Sequence, residues 1–225
     1  MLKDFVSLIF PRTCLISGTP LARGEEYIAL ETVLSLPTFS LAEQNVELMR
    51  RVYSFAPINQ AWAYYKFSKH GKVQKLLHLI KYQGYPEIGE LTGKWFGQAL
   101  MHDGGIGKID MIVPIPLHKK KEKKRGYNQC DYLAQGLSKV LSTPWSSQIL
   151  IKTENTESQT RKNRMERYRN SYQAYAIRSN ANILGKHILL IDDVVTTGAT
   201  LGACANLLLA GGCRNVSVAA LATPE

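Results

Sequence analysis

One stretch constrains this chain more than any other, His187 to Leu201, which reads HILLIDDVVTTGATL. An apolar run of strand length ends in two adjacent carboxylates, Asp192 and Asp193, and five small residues follow, Thr196-Thr197-Gly198-Ala199-Thr200. Leu201, Cys204, Ala205, Leu208 and Leu209 then recur at helical spacing until Gly211 and Gly212 stop them. The segment therefore reads as buried strand, tight loop and helix. Small side chains let backbone amides close round an anion, and the start of the helix adds unpaired N–H groups and the positive end of its dipole. Thr196, Thr197 and Thr200 bring hydroxyls to the same oxygens. Two carboxylates pointing at that anion would repel it, so they are read as gripping sugar hydroxyls, directly or through a divalent cation. Capping threonines on an ordinary strand–turn–helix are the plainer alternative, but capping gives no reason for two consecutive acids at a strand end.

The same alternation runs through most of the chain. Val73, Leu76, Leu77 and Ile80 mark a helix ending near Gly84 and Pro86, and a second helix is expected over Glu87–Met101. Ile109–Ile115 is a short apolar strand, and Cys130, Leu133, Ala134, Leu137 and Leu141 mark a helix face. Ile183–Ile191 and Val216–Leu221 are further strands, and Ala61–Phe67 reads as a strand or hairpin arm. Alternating strands and helices imply a parallel sheet covered on both faces, with ligands at the carboxyl ends of the strands. Residues 1–57 are different. They carry Pro11, Gly18, Pro20, Gly24 and Pro37 with no sustained periodicity, and are taken as an N-terminal appendage to a domain over 58–225.

A net charge of +10 and a pI of about 9.4 call for an anionic partner: phosphates on a small molecule, nucleic acid or an acidic surface. Two segments concentrate the charge. His118–Arg125, HKKKEKKR, holds six Lys and Arg directly after the Ile109–Ile115 strand, where a basic loop can face a phosphate. Thr153–Arg169 has no apolar periodicity and five basic residues between 161 and 169. Cys14, Cys130, Cys204 and Cys213 form no CxxC pair and read as small buried hydrophobes of a reducing, cytoplasmic compartment. The N-terminal apolar run is too short and interrupted for a membrane span.

IDDVVTTGAT resembles the phosphoribosyl pyrophosphate signature of the type I phosphoribosyltransferases. With VPIPLHKKKEKKRGYNQ at 113–129 and the Gln-Thr…Arg…Asn stretch at 159–170, the resemblance extends to the ComF family of competence-associated phosphoribosyltransferase-like proteins. It implies an α/β fold, a type I phosphoribosyltransferase-like parallel sheet flanked by helices, and phosphoribosyl pyrophosphate with Mg2+ as ligand. By that resemblance Asp192 and Asp193 hold the ribose hydroxyls and, indirectly, the metal, while Thr196, Thr197, Gly198, Ala199 and Thr200 hold the 5′-phosphate. His118, Lys124 and Arg125 face the pyrophosphate. The remaining lysines are read as solvated surface, with a DNA or RNA contact as the alternative. Thr153–Arg169 stands where type I enzymes carry a mobile catalytic loop that excludes water, with Gln159, Arg161 and Arg164 as its candidates.

Members of that family usually begin with a four-cysteine zinc site built from two CxxC pairs. The corresponding positions here read Cys14-Leu-Ile-Ser17 and Ala29-Leu-Glu-Thr32. A lone cysteine does not replace four thiolates, so no zinc is expected.

Three functions compete. A transferase would let a nitrogen nucleophile attack C1 of the ribose and displace pyrophosphate, by positioning and charge stabilisation. A DNA-uptake accessory would bind single-stranded DNA or a partner protein through the basic segments. A sensor of phosphoribosyl pyrophosphate would keep the site without turnover.

Overall fold

The computed structural model describes residues 11–39, 41–102, 106–153 and 164–224. Four strands form a parallel sheet: β1 (Ala61–Phe67), β2 (Met111–Pro114), β5 (His187–Val194) and β6 (Asn215–Pro224), ordered β1-β6-β5-β2. The signature strand β5 lies inside the sheet, its Ile188 beside Val216 on one side and Met111 on the other. Both of its faces are apolar. Leu189 and Ile191 join one buried cluster and Ile188 and Leu190 the other, as strand alternation requires of a sheet covered on both sides.

The first cluster is roofed by α3 (Lys72–Tyr82), α4 (Pro86–His102) and α6 (Gln129–Leu141), through Leu76, Phe96 and Leu133 among others. Helices α4 and α6 touch backbone to backbone. A Cβ on Gly93 would lie 2.4 Å from the Leu133 carbonyl oxygen, and one on Gly136 would lie 2.1 Å from that of Glu90. The second cluster is covered by α2 (Leu41–Tyr53) and α8 (Ala199–Ala210), through Leu48, Val52, Leu201 and Leu208. The last helix of the expected appendage thus packs into the same core as the signature strand. A short helix, α1 (Leu30–Leu34), precedes it.

Two expected loops are partly helical. The basic segment forms α5 (Lys119–Arg125), and residues 164–169, read as loop, belong to α7 (Arg164–Ala174). Helix α5 has no buried residue, so it gave no apolar period. It is organised by its caps, with His118 Nδ1 accepting the Lys120 N–H at 3.2 Å and Gly126 turning left-handed at φ 89°. Helix α7 packs against α8 and carries Ala174 into the second cluster; Tyr168 stacks on Phe55, centroids 5.0 Å apart, and the Asn206 amide donates to its hydroxyl at 2.8 Å. A two-stranded antiparallel stem, β3 (Leu150–Lys152) with β4 (Tyr175–Ile177), spans the base of the segment containing α7.

Strand β5 starts later than expected, because Leu184 is exposed and Gly185 turns at φ 67°, and it runs on through both acids to Val194. Among the described residues no helix is long and apolar enough to cross a membrane.

Candidate phosphate and ribose site

The site is built where β5 leaves the sheet. The Ile115 N–H donates to Ile191 O at 2.9 Å and the Val195 N–H to Ala222 O at 3.0 Å, so both neighbouring strands hold the chain just before it turns. Gly198 then caps α8 at φ 80°. Glycine is required there twice over. A side chain disfavours that backbone, and a Cβ would lie 2.8 Å from the backbone carbon and oxygen of Arg51. Arg51, in the last turn of α2, also donates from Nη1 to the Thr196 carbonyl oxygen at 2.7 Å and from Nη2 to that of Pro224 at 2.9 Å. The appendage's last helix therefore braces the loop from behind.

Asp192 and Val194–Leu201 line a small cavity of about 50 Å³ at the start of α8. Two larger surface cavities, about 500 and 590 Å³, lie elsewhere. One is lined by Leu100, Ile109 and Leu141 and the other by Leu15, His70 and His78. Neither is lined by a carboxylate or by the signature, so size is a poor guide here and the small cavity is the candidate site.

The two acids are not equivalent. Asp192 is half-buried on the cavity wall, and its Oδ1 accepts the Asp193 N–H at 2.9 Å and faces Cys130 Sγ at 3.6 Å. Burial, then the neighbouring Asp193 charge, push its carboxyl up to about 7. Asp193 is buried, with Oδ1 accepting the Val194 N–H at 2.6 Å and Oδ2 lying 2.6 Å from Lys81 Nζ. The Lys81 contact is electrostatic rather than a well-directed hydrogen bond, since Oδ2 meets no donor at hydrogen-bond geometry. Burial alone would lower the Lys81 pKa, but the Asp193 carboxylate outweighs it and keeps the ammonium charged.

On the other face, Lys152 at the end of β3 donates to the Tyr175 hydroxyl at 3.1 Å and feels Lys121 and Asp192 electrostatically. Burial lowers its pKa. Lys81, Lys152 and Arg51 were all missed from sequence.

The other expected residues are placed as follows. Thr196 is exposed, Thr197 and Thr200 are half-buried, and Gly198 and Ala199 are buried, all lining the cavity. His118 spends Nδ1 on its own cap. Arg125 hydrogen-bonds Gln129 and lies over the Tyr82 ring, 5.1 Å from its centroid, while Lys124 is exposed. Gln159 and Arg161 lie outside the described residues. Arg164 opens α7, but its side chain lies outside the described part.

Among the described residues, one group of acids and thiols is close enough to share a cation: Cys130, Asp192 and Asp193, donor atoms within 4.8 Å of one another. Burial, then the two carboxylates, push the Cys130 thiol up, so it stays protonated. What remains is a pair of hard oxygen ligands, which fits Mg2+. The N-terminal set does not fit zinc. Positions 14, 17, 29 and 32 do converge: Cys14 Sγ donates to Thr32 Oγ1 at 3.5 Å, and Thr32 Oγ1 donates to Ser17 Oγ at 3.0 Å. The Ala29 backbone also meets the sulfur. One thiol, two neutral hydroxyls and a methyl make no tetrahedral thiolate site.

Residues 128–225 match the phosphoribosyl transferase domain family. Together with the parallel sheet and the acid-pair strand, loop and helix, that match defines a type I phosphoribosyltransferase-like fold. The DNA utilization protein YhgH of Escherichia coli K12 is 34% identical over 146 residues, 64% of this chain and 63% of that one. Competence protein ComFC of Bacillus subtilis is 39% identical over 102 residues, 45% of this chain and 39% of that one. The matches thus span less than two thirds of these relatives. Adenine phosphoribosyltransferase from Saccharomyces cerevisiae aligns with a TM-score of 0.39 at 18% identity, over 63% of this chain and 72% of that one, a likeness too loose to carry an argument. These matches support a ComF-type, phosphoribosyltransferase-like protein, in line with the resemblance of its signature.

Proposed function

We propose that the chain binds phosphoribosyl pyrophosphate with Mg2+ at the carboxyl end of β5 and transfers, or once transferred, the phosphoribosyl group to a nitrogen acceptor. The observation that carries this reading is the phosphate-sized cavity in which Asp192 meets the Thr196–Thr200 loop at the start of a twelve-residue helix. The loop amides and threonine hydroxyls take the 5′-phosphate, helped by the helix dipole. The ribose hydroxyls fall to the acid-bearing end of β5, where Asp192 lines the cavity. Magnesium, bound with the ligand, would be held indirectly by Asp192 and Asp193 and would neutralise the pyrophosphate. Lys152 interacts electrostatically with both Asp192 and Lys121, which brings positive charge to where the leaving pyrophosphate needs it. Transfer then rests on alignment and charge stabilisation, with no protein nucleophile. Pyrophosphate release in Mg2+ with a panel of bases, ammonia and glutamine tests it. Release with any one acceptor supports the transferase, and binding without release leaves a sensor.

A specific observation favours a second reading, in which the protein serves DNA uptake by binding single-stranded DNA. Helix α5 presents exposed lysines, and at its end Arg125 lies over the exposed ring of Tyr82, an arrangement on which bases stack. The relatives' names, competence and DNA utilization, point the same way. A salt-dependent mobility shift of single-stranded DNA, lost when Lys119–Lys124 lose their charge, is the expected result. A shift that survives that change places the contact elsewhere. Four free, buried cysteines favour a reducing, cytoplasmic location.

A further inference from the structure

We propose that Lys81 is a positioning residue of this site: it holds Asp193 as a fixed strut, so that Asp192 is the acid that meets the ligand. The proposal rests on the ribose-phosphate reading above. Neighbouring residues of a strand point to opposite faces, so two adjacent acids do not share one job by default. Asp193 follows Leu189 and Ile191 to the face roofed by α3, α4 and α6. There both its oxygens are engaged, Oδ1 by the Val194 N–H and Oδ2 by Lys81, and its side chain is only 8% exposed. Asp192 instead lines the cavity with the phosphate loop.

Lys81 is itself fixed. It sits in the last turn of α3, whose Ile80 carbonyl accepts the Tyr127 hydroxyl, and Gly84 turns the chain away at φ 76°. Tyr82 beside it carries Arg125 over its ring. The end of α3 is thereby tied to the chain that opens α6, and the ammonium is delivered to one place. Its charge answers an electrostatic need. Two adjacent carboxylates and a polyanionic ligand repel one another, and a cation behind the sheet end relieves that without filling the cavity. Asp193 also orients its neighbour, because its own N–H donates to Asp192 Oδ1 at 2.9 Å. A shift of the strut therefore moves the ligand-facing acid.

The test uses the full chain with Lys81→Met, Lys81→Arg, Asp193→Asn, Asp192→Asn and the Lys81→Met/Asp193→Asn double variant. Urea denaturation comes first. Each single loss at the pair leaves a buried group without its partner and destabilises, and the double variant recovers part of that loss. Independent, additive losses would overturn the strut. Calorimetry with phosphoribosyl pyrophosphate and Mg2+ follows. Lys81→Met and Asp193→Asn are each expected to weaken binding about tenfold and no further together, since removing a residue that supports a ligating group typically costs 10–100-fold. Lys81→Arg regains most of the affinity, and Asp192→Asn abolishes binding. Equal loss in the two Asp variants, with Lys81→Met at wild-type affinity, puts Asp193 on the ligand and overturns the assignment. If the wild-type chain binds no phosphoribosyl pyrophosphate, the ribose-phosphate reading falls with the ligand role of Lys81, while the denaturation cycle still decides the strut.

Discussion

Arg51 Nη1 donates to the carbonyl oxygen of Thr196 at 2.7 Å, tying α2 to the Thr196–Thr200 loop far along the chain. The same guanidinium reaches Thr223 and Pro224, so it also fixes the end of β6. Charge-assisted hydrogen bonds of this kind contribute about 1.5–3 kcal/mol. Replacing Arg51 with Ala is expected to cost about 2 kcal/mol of stability in urea and to weaken ribose 5-phosphate about tenfold, with pyrophosphate affinity kept. Equal weakening of both ligands would show that the loop is not what Arg51 supports.

Gly198 faces a harder constraint. Alanine there meets both an unfavourable left-handed backbone and the Arg51 backbone at 2.8 Å. Gly198→Ala is expected to lose about 2–3 kcal/mol and, with it, phosphate binding. A variant as stable as wild type in denaturant would mean that α2 does not press on the loop.

The strand, the loop and the helix of this site are legible in sequence because each carries a local signal. Apolar residues run from Ile188 to Ile191, two acids end the run, and small residues precede Leu201. The cations around the site carry none. Lys81 looks like one more charge beside the apolar stripe Val73–Ile80, and its partner is far along the chain. Lys152 and Arg51 likewise gain meaning only when folding brings β3 and α2 to the sheet end. The basic segment was legible as charge but not as a helix, since α5 buries nothing and its shape comes from His118 and Gly126. Gln159, placed in the catalytic loop by resemblance, falls outside the described residues.

The N-terminal lobe should hold without zinc. Cys14, Thr32 and Ser17 are joined by hydrogen bonds where family members carry thiolates on metal. Because those positions already converge, Ser17→Cys, Ala29→Cys and Thr32→Cys together are expected to bind one Co2+ with tetrahedral thiolate absorption, and the wild-type chain to bind none. Stoichiometric zinc in the purified wild-type protein would refute the metal-free lobe.

Acid should loosen the sheet through His187. Its ring is buried, with Nε2 2.9 Å from Ser217 Oγ, and burial lowers its pKa. The unfolded chain therefore takes up this proton first as pH falls through about 6.5, and stability declines from there downward. Denaturation midpoints from pH 8 to 5 should fall below neutrality, with a shallower slope in His187→Gln. An unchanged slope in that variant would assign the loss to other groups.

The central claim is that Asp192 and the Thr196–Thr200 loop form a magnesium-dependent site for phosphoribosyl pyrophosphate, and one calorimetric titration tests it. Wild type is expected to bind one ligand per chain with Mg2+ and much less without it, and Asp192→Asn to bind none while still unfolding cooperatively. Unchanged affinity in a folded Asp192→Asn protein would contradict the account.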